Sequence, residues 1–147
     1  MRRNVFVFVA DERDGGGMMR ARILIAEDEP EIAMSLEFLL RNDGYETEIA
    51  RDGEAALLIA RQLRPDLLVL DLMLPRLSGL DVCDAIRRDA GIKPPKVLIL
   101  TARGSANDMA RGRSAGADAY LVKPFSTKEL LVEVRRLLAP EGVQNAA

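Results

Sequence analysis

Four apolar runs in this sequence each end in residues suited to phosphate and metal chemistry. Ile23-Leu24-Ile25-Ala26 ends in Glu27-Asp28, Leu67-Leu68-Val69-Leu70 in Asp71, Val97-Leu98-Ile99-Leu100 in Thr101, and the stretch from Ala119 to Val122 in Lys123. If these runs are strands of one open parallel sheet, three carboxylates, a hydroxyl and an ammonium meet at the carboxyl edge, where such sheets bind ligands. Carboxylates crowded there repel one another, and their pKa values rise unless a cation joins them, so the set suits a divalent ion. Oxygen ligands favour Mg²⁺, Mn²⁺ or Ca²⁺. Taken singly, each residue has a plainer use. Glu27, Asp28 and Glu29 ahead of Pro30 could cap a helix, Asp71 could occupy a turn, Thr101 could end a strand, and Lys123 could be solvated. The combination points to chemistry.

Composition removes competing chemistries. The chain has no histidine, which excludes Ser-His-Asp and Cys-His catalysis, histidine metal ligands and a phosphohistidine within the chain. The single cysteine, Cys83, can form neither an internal disulfide nor a thiolate zinc site, as suits a reducing compartment. A net charge of −2 offers no overall basic field for nucleic acid or an acidic membrane. No apolar run reaches the 18 or so residues of a membrane span, and the run from Val5 to Ala10 is too short for a secretory signal. A cytoplasmic protein without membrane association is expected. There is no G-x-x-x-x-G-K-[ST], and Gly15-Gly16-Gly17 precede the first strand instead of following it, which argues against nucleotide binding.

The elements that would position the polar residues are legible from periodicity. From Arg22 onward, short apolar runs alternate with helical patterns, the signature of βα units around a parallel sheet covered on both faces. Five rounds occur. The first helix carries Ile32, Leu36, Leu39 and Leu40 on one face, and Tyr45 to Ala50 is a more polar strand suited to an edge. Asp52 can cap a second helix that runs to about Leu63, and Ser78 with Asp81 can open a third. The fourth, near Asn107 to Ser114, contains Gly112 and few apolar residues, so it should be the least stable. Ser126 and Glu129 form a capping box for a last helix with Leu130, Leu131, Val134, Leu137 and Leu138 along one stripe. With 147 residues, one domain is expected over 21–140, flanked by a flexible leader at 1–20 and a short polar tail at 141–147. Val5 to Val9 has strong β propensity and could instead add an edge strand or act as an interaction peptide.

The chain resembles the receiver domains of bacterial two-component response regulators. The resemblance rests on A-E-D-E-P around Glu27 and Asp28, D-L-M-L-P-R-L-S-G from Asp71, Thr101-Ala102, G-A-D-A-Y ending at Tyr120, and K-P-F from Lys123. Their spacing agrees as well: Asp71 lies 43 positions after Asp28, Thr101 lies 30 after Asp71, and Tyr120 and Lys123 lie 19 and 22 after Thr101. The resemblance implies a doubly wound, flavodoxin-like (βα)5 fold of the stand-alone receiver type, which is not an enzyme. It implies a phosphorylation-activated switch in which Asp71 accepts a phosphoryl group from a phosphohistidine on a sensor kinase or histidine phosphotransfer protein. Mg²⁺, or Mn²⁺, would be held by Glu27, Asp28, Asp71 and the backbone carbonyl of Met73. Thr101 and Lys123 would contact the phosphoryl oxygens, with a cis Lys123–Pro124 peptide aiming the lysine. Movement of Thr101 would vacate space for Tyr120 and alter the surface of the fourth helix, fifth strand and fifth helix, with Arg103, Arg111 and Arg113 nearby, for a downstream protein target. The kinase would dock on the first helix, through Met34 and Phe38, and on the loop carrying Phe125. No direct DNA binding is expected from this chain.

Rival readings are few. A haloacid-dehalogenase-type phosphatase also uses an Asp nucleophile with Mg²⁺, but it wants a second Asp where this chain has Met73. A fragment of a longer DNA-binding regulator would carry the same motifs, and K-P-F-S-T-K-E-L-L is common in such proteins. A phosphate-independent interaction module is opposed by the intact set of Asp28, Asp71, Thr101 and Lys123.

Overall fold

The computed structural model describes residues 20–102 and 106–140. Five βα units alternate without interruption: β1 (Arg22–Ala26), α1 (Pro30–Asn42), β2 (Glu46–Ala50), α2 (Gly53–Leu63), β3 (Leu67–Asp71), α3 (Gly79–Arg88), β4 (Lys96–Thr101), α4 (Ala106–Ala115), β5 (Ala119–Val122) and α5 (Thr127–Leu138). The strands form one parallel sheet in the order β2-β1-β3-β4-β5. The chain leaves β1 toward one edge and returns past it to β3, so the switch in strand order lies between β1 and β3 and opens a crevice at their carboxyl ends.

Alternation along the strands divides the core into two layers. Leu24, Ala26, Leu68, Leu70, Val97 and Ile99 pack under α2 and α3, with Ala115 from α4. Ile23, Ile25, Leu67, Val69, Leu98 and Leu100 pack under α1 and α5. Both faces of β1 and β3 are therefore buried, whereas β5 is only partly covered. The polar strand β2 lies at the sheet edge, as its sequence suggests.

Helix starts follow their capping residues. Asp52 accepts from the Ala55 amide at 2.8 Å and Ser78 from the Asp81 amide at 3.2 Å. Ser126 and Glu129 form the reciprocal capping box, at 3.0 and 2.8 Å. Helix α2 ends through Arg64 in the left-handed region, ahead of Pro65. The Val5–Val9 run, the triple glycine, Arg103 and the tail after Pro140 lie outside the described residues.

Candidate functional site

Strand β1 delivers Glu27 and Asp28 to the crevice. The Glu27 amide continues the sheet by donating to the Ala50 carbonyl at 3.0 Å. The Glu27 side chain is fully buried while Asp28 is exposed. Helix capping does not account for this pair, since Glu29 is the N-cap residue of α1 and makes no side-chain cap bond. Glu27 Oε2 instead accepts from the Glu29 amide at 3.2 Å.

Strand β3 delivers Asp71, which is buried. Its Oδ1 accepts from the Met73 amide at 3.1 Å, and its Oδ2 faces Lys123 Nζ at 3.5 Å. The loop that follows folds back tightly. A Cβ on Gly79 would lie 2.7 Å from the Asp71 carbonyl oxygen, so only glycine lets α3 start so close to the strand end. Gly53 likewise admits the backbone of Leu77 against the start of α2, where its amide donates to the Pro75 carbonyl at 3.2 Å. Arg76, at φ 72°, places its guanidinium near Asp52 and Glu54 at 3.6 and 3.7 Å. The loop carrying Met73, whose side chain projects into solvent, is thus pinned at its far end.

Strands β4 and β5 bring the remaining groups. Thr101 ends β4 and is buried, and its carbonyl accepts from the Lys123 amide at 2.7 Å. The Lys123–Pro124 peptide is cis. Lys123 Nζ stands 3.6 Å from Glu27 Oε1 as well as close to Asp71, bridging the two buried acids. Tyr120 turns toward α4, where its hydroxyl donates to the Met109 carbonyl.

Glu27, Asp28 and Asp71 offer oxygen atoms within 4.8 Å of one another. Burial and the neighbouring Asp71 carboxylate push the Glu27 carboxyl up to about 7, against the opposing pull of the Glu29 amide and Lys123. Glu27 Oε1 is buried with no hydrogen-bond donor. A buried oxygen without a donor, in a knot of three carboxylates, fits a divalent cation bound by hard oxygen ligands.

Comparison with known proteins agrees with this geometry. Residues 23–135 match the family described as the response regulator receiver domain. The chain belongs to that family. The receiver is 45% identical over 120 residues to the DNA-binding response regulator MtrA of Mycolicibacterium smegmatis, covering 82% of this chain and 51% of that protein. It is 44% identical over 129 residues to the response regulator MprA of Mycobacterium bovis, covering 88% and 55%. The chain thus spans about half the length of these curated relatives. Among solved structures, the receiver superposes on the chemotaxis protein CheY4 of Vibrio cholerae with a TM-score of 0.77 at 33% identity, over 81% of this chain and 99% of that one. It also superposes on the receiver domain of the sensor histidine kinase PA1611 from Pseudomonas aeruginosa, with a TM-score of 0.74 at 31% identity over 81% and 98%. That structure is described with a magnesium ion coordinated in its active site cleft. The fold and the phosphorylation-switch class read from the motifs therefore stand. No helix among the described residues is long and apolar enough to cross a membrane.

Glu27, Asp28, Asp71, Thr101 and Lys123 lie at the carboxyl ends of their strands and Met73 in the loop after β3, whereas Tyr120 lies within β5, opposite Ile99, and reaches outward to α4. Sequence reasoning missed the close approaches at Gly53 and Gly79, and it read Gly112 only as a weak point in α4. Glycines at loop-to-helix starts after D-x-x-x-P and after Asp52 were the available signal for the first two.

Proposed function

We propose that Asp71 is the phosphoacceptor of this receiver and that Glu27, Asp28, Thr101 and Lys123 form its reaction site. The reading is carried by the placement of Asp71: Oδ1 is held by the Met73 amide and Oδ2 by Lys123, which leaves a buried carboxylate oriented toward an open crevice. A carboxylate oxygen of Asp71 attacks the phosphorus of a phosphohistidine on a partner protein. The P–N bond breaks, its electrons pass to the imidazole nitrogen, and an acyl phosphate forms. Glu27, Asp28, Asp71 and the Met73 carbonyl would hold Mg²⁺, which when bound supplies positive charge against the transferring oxygens. Lys123 shifts from the carboxylates to the new phosphoryl oxygens, and the Thr101 hydroxyl donates to one of them.

The donor surface follows from the same crevice. Met34 and Phe38 on α1 are 61% and 65% exposed, four residues apart on one face. Beside them a groove of about 250 Å³ runs between α1 and the start of α5, lined by Glu31, Ile32, Leu39 and Phe125. Its apolar walls and its position next to the crevice suit the kinase or phosphotransfer protein. In this reading the receiver signals by protein contact.

Labelling by acetyl phosphate in the presence of Mg²⁺ tests the phosphoacceptor. It is expected to be lost in Asp71→Asn and on chelation of the metal, and wild-type labelling in Asp71→Asn would refute the assignment. Glu31→Lys with Met34→Ala is expected to slow transfer from the cognate kinase while sparing acetyl phosphate. Equal slowing of both reactions would remove the docking surface from the account.

A further inference from the structure

The loop that carries Met73 is held by a second element as well as by its own strand. Within it, the Met73 amide donates to Asp71 Oδ1 at 3.1 Å, the Leu77 amide to the Pro75 carbonyl at 2.8 Å and the Gly79 amide to the Leu72 carbonyl at 3.0 Å. None of these bonds engages the Met73 carbonyl. The outer turn of the loop rests on the start of α2, where Gly53 lies so near Leu77 that a Cβ would overlap its carbonyl oxygen. The two carboxylate oxygens of Asp52 divide between the two elements. Oδ1 caps α2 by accepting from the Ala55 amide at 2.8 Å, and Oδ2 faces Arg76 Nε at 3.6 Å. Glu54 Oε1 lies 3.7 Å from Nη1 of the same guanidinium. Arg76 makes this reach from φ 72°, a backbone position that glycine adopts without steric cost and other residues rarely hold. A non-glycine residue kept in that region beside a reactive site points to a use for its side chain.

We propose that Arg76 is a positioning residue for the metal site: by strapping the loop to Asp52 and Glu54 at the start of α2, it fixes the direction of the Met73 carbonyl. Arg76 lies three positions after Met73, and Pro75 between them stiffens the chain. With one end held at Asp71 and the other at Arg76, the backbone between them is ordered before a cation arrives. The carbonyl is then presented without a further loss of chain entropy on binding. Released from α2, the loop must be ordered as the cation binds, and affinity falls. The strap acts against the sign of its own charge, because a guanidinium repels a divalent cation and loss of that charge alone would tighten binding. This inference rests on the reading of Met73 as a metal ligand and adds the group that holds Met73 in place.

Calorimetric titration of the metal-free protein with Mg²⁺ tests the strap, in wild type, Arg76→Gly, Asp52→Asn and the double variant. Glycine suits the backbone at position 76 and asparagine still caps a helix, so neither change removes a structural requirement of the fold. Arg76→Gly is expected to raise the Mg²⁺ Kd about twofold to tenfold, as suits the loss of two exposed ion pairs. Arg76→Lys, which keeps the charge, is expected to fall between that variant and wild type. Asp52→Asn should weaken binding in the wild-type chain and add little in Arg76→Gly, because it acts through the guanidinium. An unchanged or lower Kd in Arg76→Gly overturns the proposal, as does an equal effect of Asp52→Asn in both backgrounds. Amide exchange reads the loop directly in metal-free protein. The Met73 and Leu77 amides are expected to exchange faster in Arg76→Gly while those of α1 keep their protection, and unchanged exchange contradicts the strap. A wild-type chain that binds no Mg²⁺ would instead refute the metal reading itself, so the two failures are told apart.

Discussion

The carboxyl rim of β1 and β3 and the flank made by α4 and β5 are built on opposite terms. At the rim, every residue of both strands is buried, and helices cover both faces of the sheet. Side chains leaving these strands have their positions imposed by close packing. Glu27 and Asp71 gain fixed geometry there, at the cost of crowding two buried carboxylates around one lysine. On the flank, β5 has four residues and no fully buried one, and the Tyr120 hydroxyl is tied to the backbone of α4. Regions with few buried apolar contacts open most readily. A phosphorylation switch needs both: rigid ligands where charge is handled, and a weakly held surface where a small change can be read out.

That contrast can be broken most forcefully in the core. Leu68 is fully buried in β3, and Leu68→Ala is expected to destabilise the fold by about 2–5 kcal/mol in urea unfolding. Val122→Ala, at the partly exposed end of β5, should stay within about 0.5 kcal/mol. Equal costs would erase the distinction between rim and flank.

A smaller and more specific effect comes from Glu27. Burial and the neighbouring Asp71 carboxylate raise its pKa in the folded state to about 7, above the ordinary 4.5. A carboxyl raised on folding stabilises the native state when protonated, so its contribution is fully present below about pH 4.5 and is lost as pH rises through about 7. In metal-free protein, Glu27→Gln is therefore expected to be more stable than wild type at pH 8, by on the order of 1–3 kcal/mol, with the difference vanishing near pH 4.5. Mg²⁺ should raise the wild-type Tm more at pH 8 than at pH 5.5, because at the lower pH the cation competes with a proton. Destabilisation by Glu27→Gln at pH 8 would show that the buried acid is already satisfied without metal.

The smallest effect sharpens the comparison from the far side of the sheet. Arg135 on α5 makes a bidentate pair with Asp43 after α1, at 3.0 and 2.7 Å, and the guanidinium holds the Asp43 carboxyl below its ordinary value. The pair is largely solvated, so Arg135→Ala is expected to lower Tm only slightly at low salt and still less at high salt.

The rim was legible in the sequence because apolar runs and the polar residues that end them are both local signals. Each of Glu27, Asp28, Asp71, Thr101 and Lys123 lies at a strand end that its own run defines, and the three N-caps at Asp52, Ser78 and Ser126 are equally local. What escaped notice depends on distant partners. Arg22 marks only the start of the alternation in the sequence, yet it is buried, with its guanidinium 3.1 Å from the Leu63 carbonyl and 3.5 Å from Glu46. Met34 and Phe38, by contrast, were legible as exposed residues beside the apolar stripe of α1, and both face solvent. Gly112 is a helix weakener in any local reading, because the Tyr120 phenol that needs the space comes from eight positions further on, across a turn and a strand start.

The central claim is that Asp71 carries the phosphoryl group, and reductive trapping tests it most directly. Protein incubated with acetyl phosphate and Mg²⁺ is treated with borohydride, which converts an aspartyl phosphate to homoserine, and the converted residue is located by peptide mass spectrometry. The account predicts homoserine at position 71 alone, with none formed when Mg²⁺ is chelated. Homoserine at position 28, or conversion at 71 that persists without a divalent cation, would contradict it.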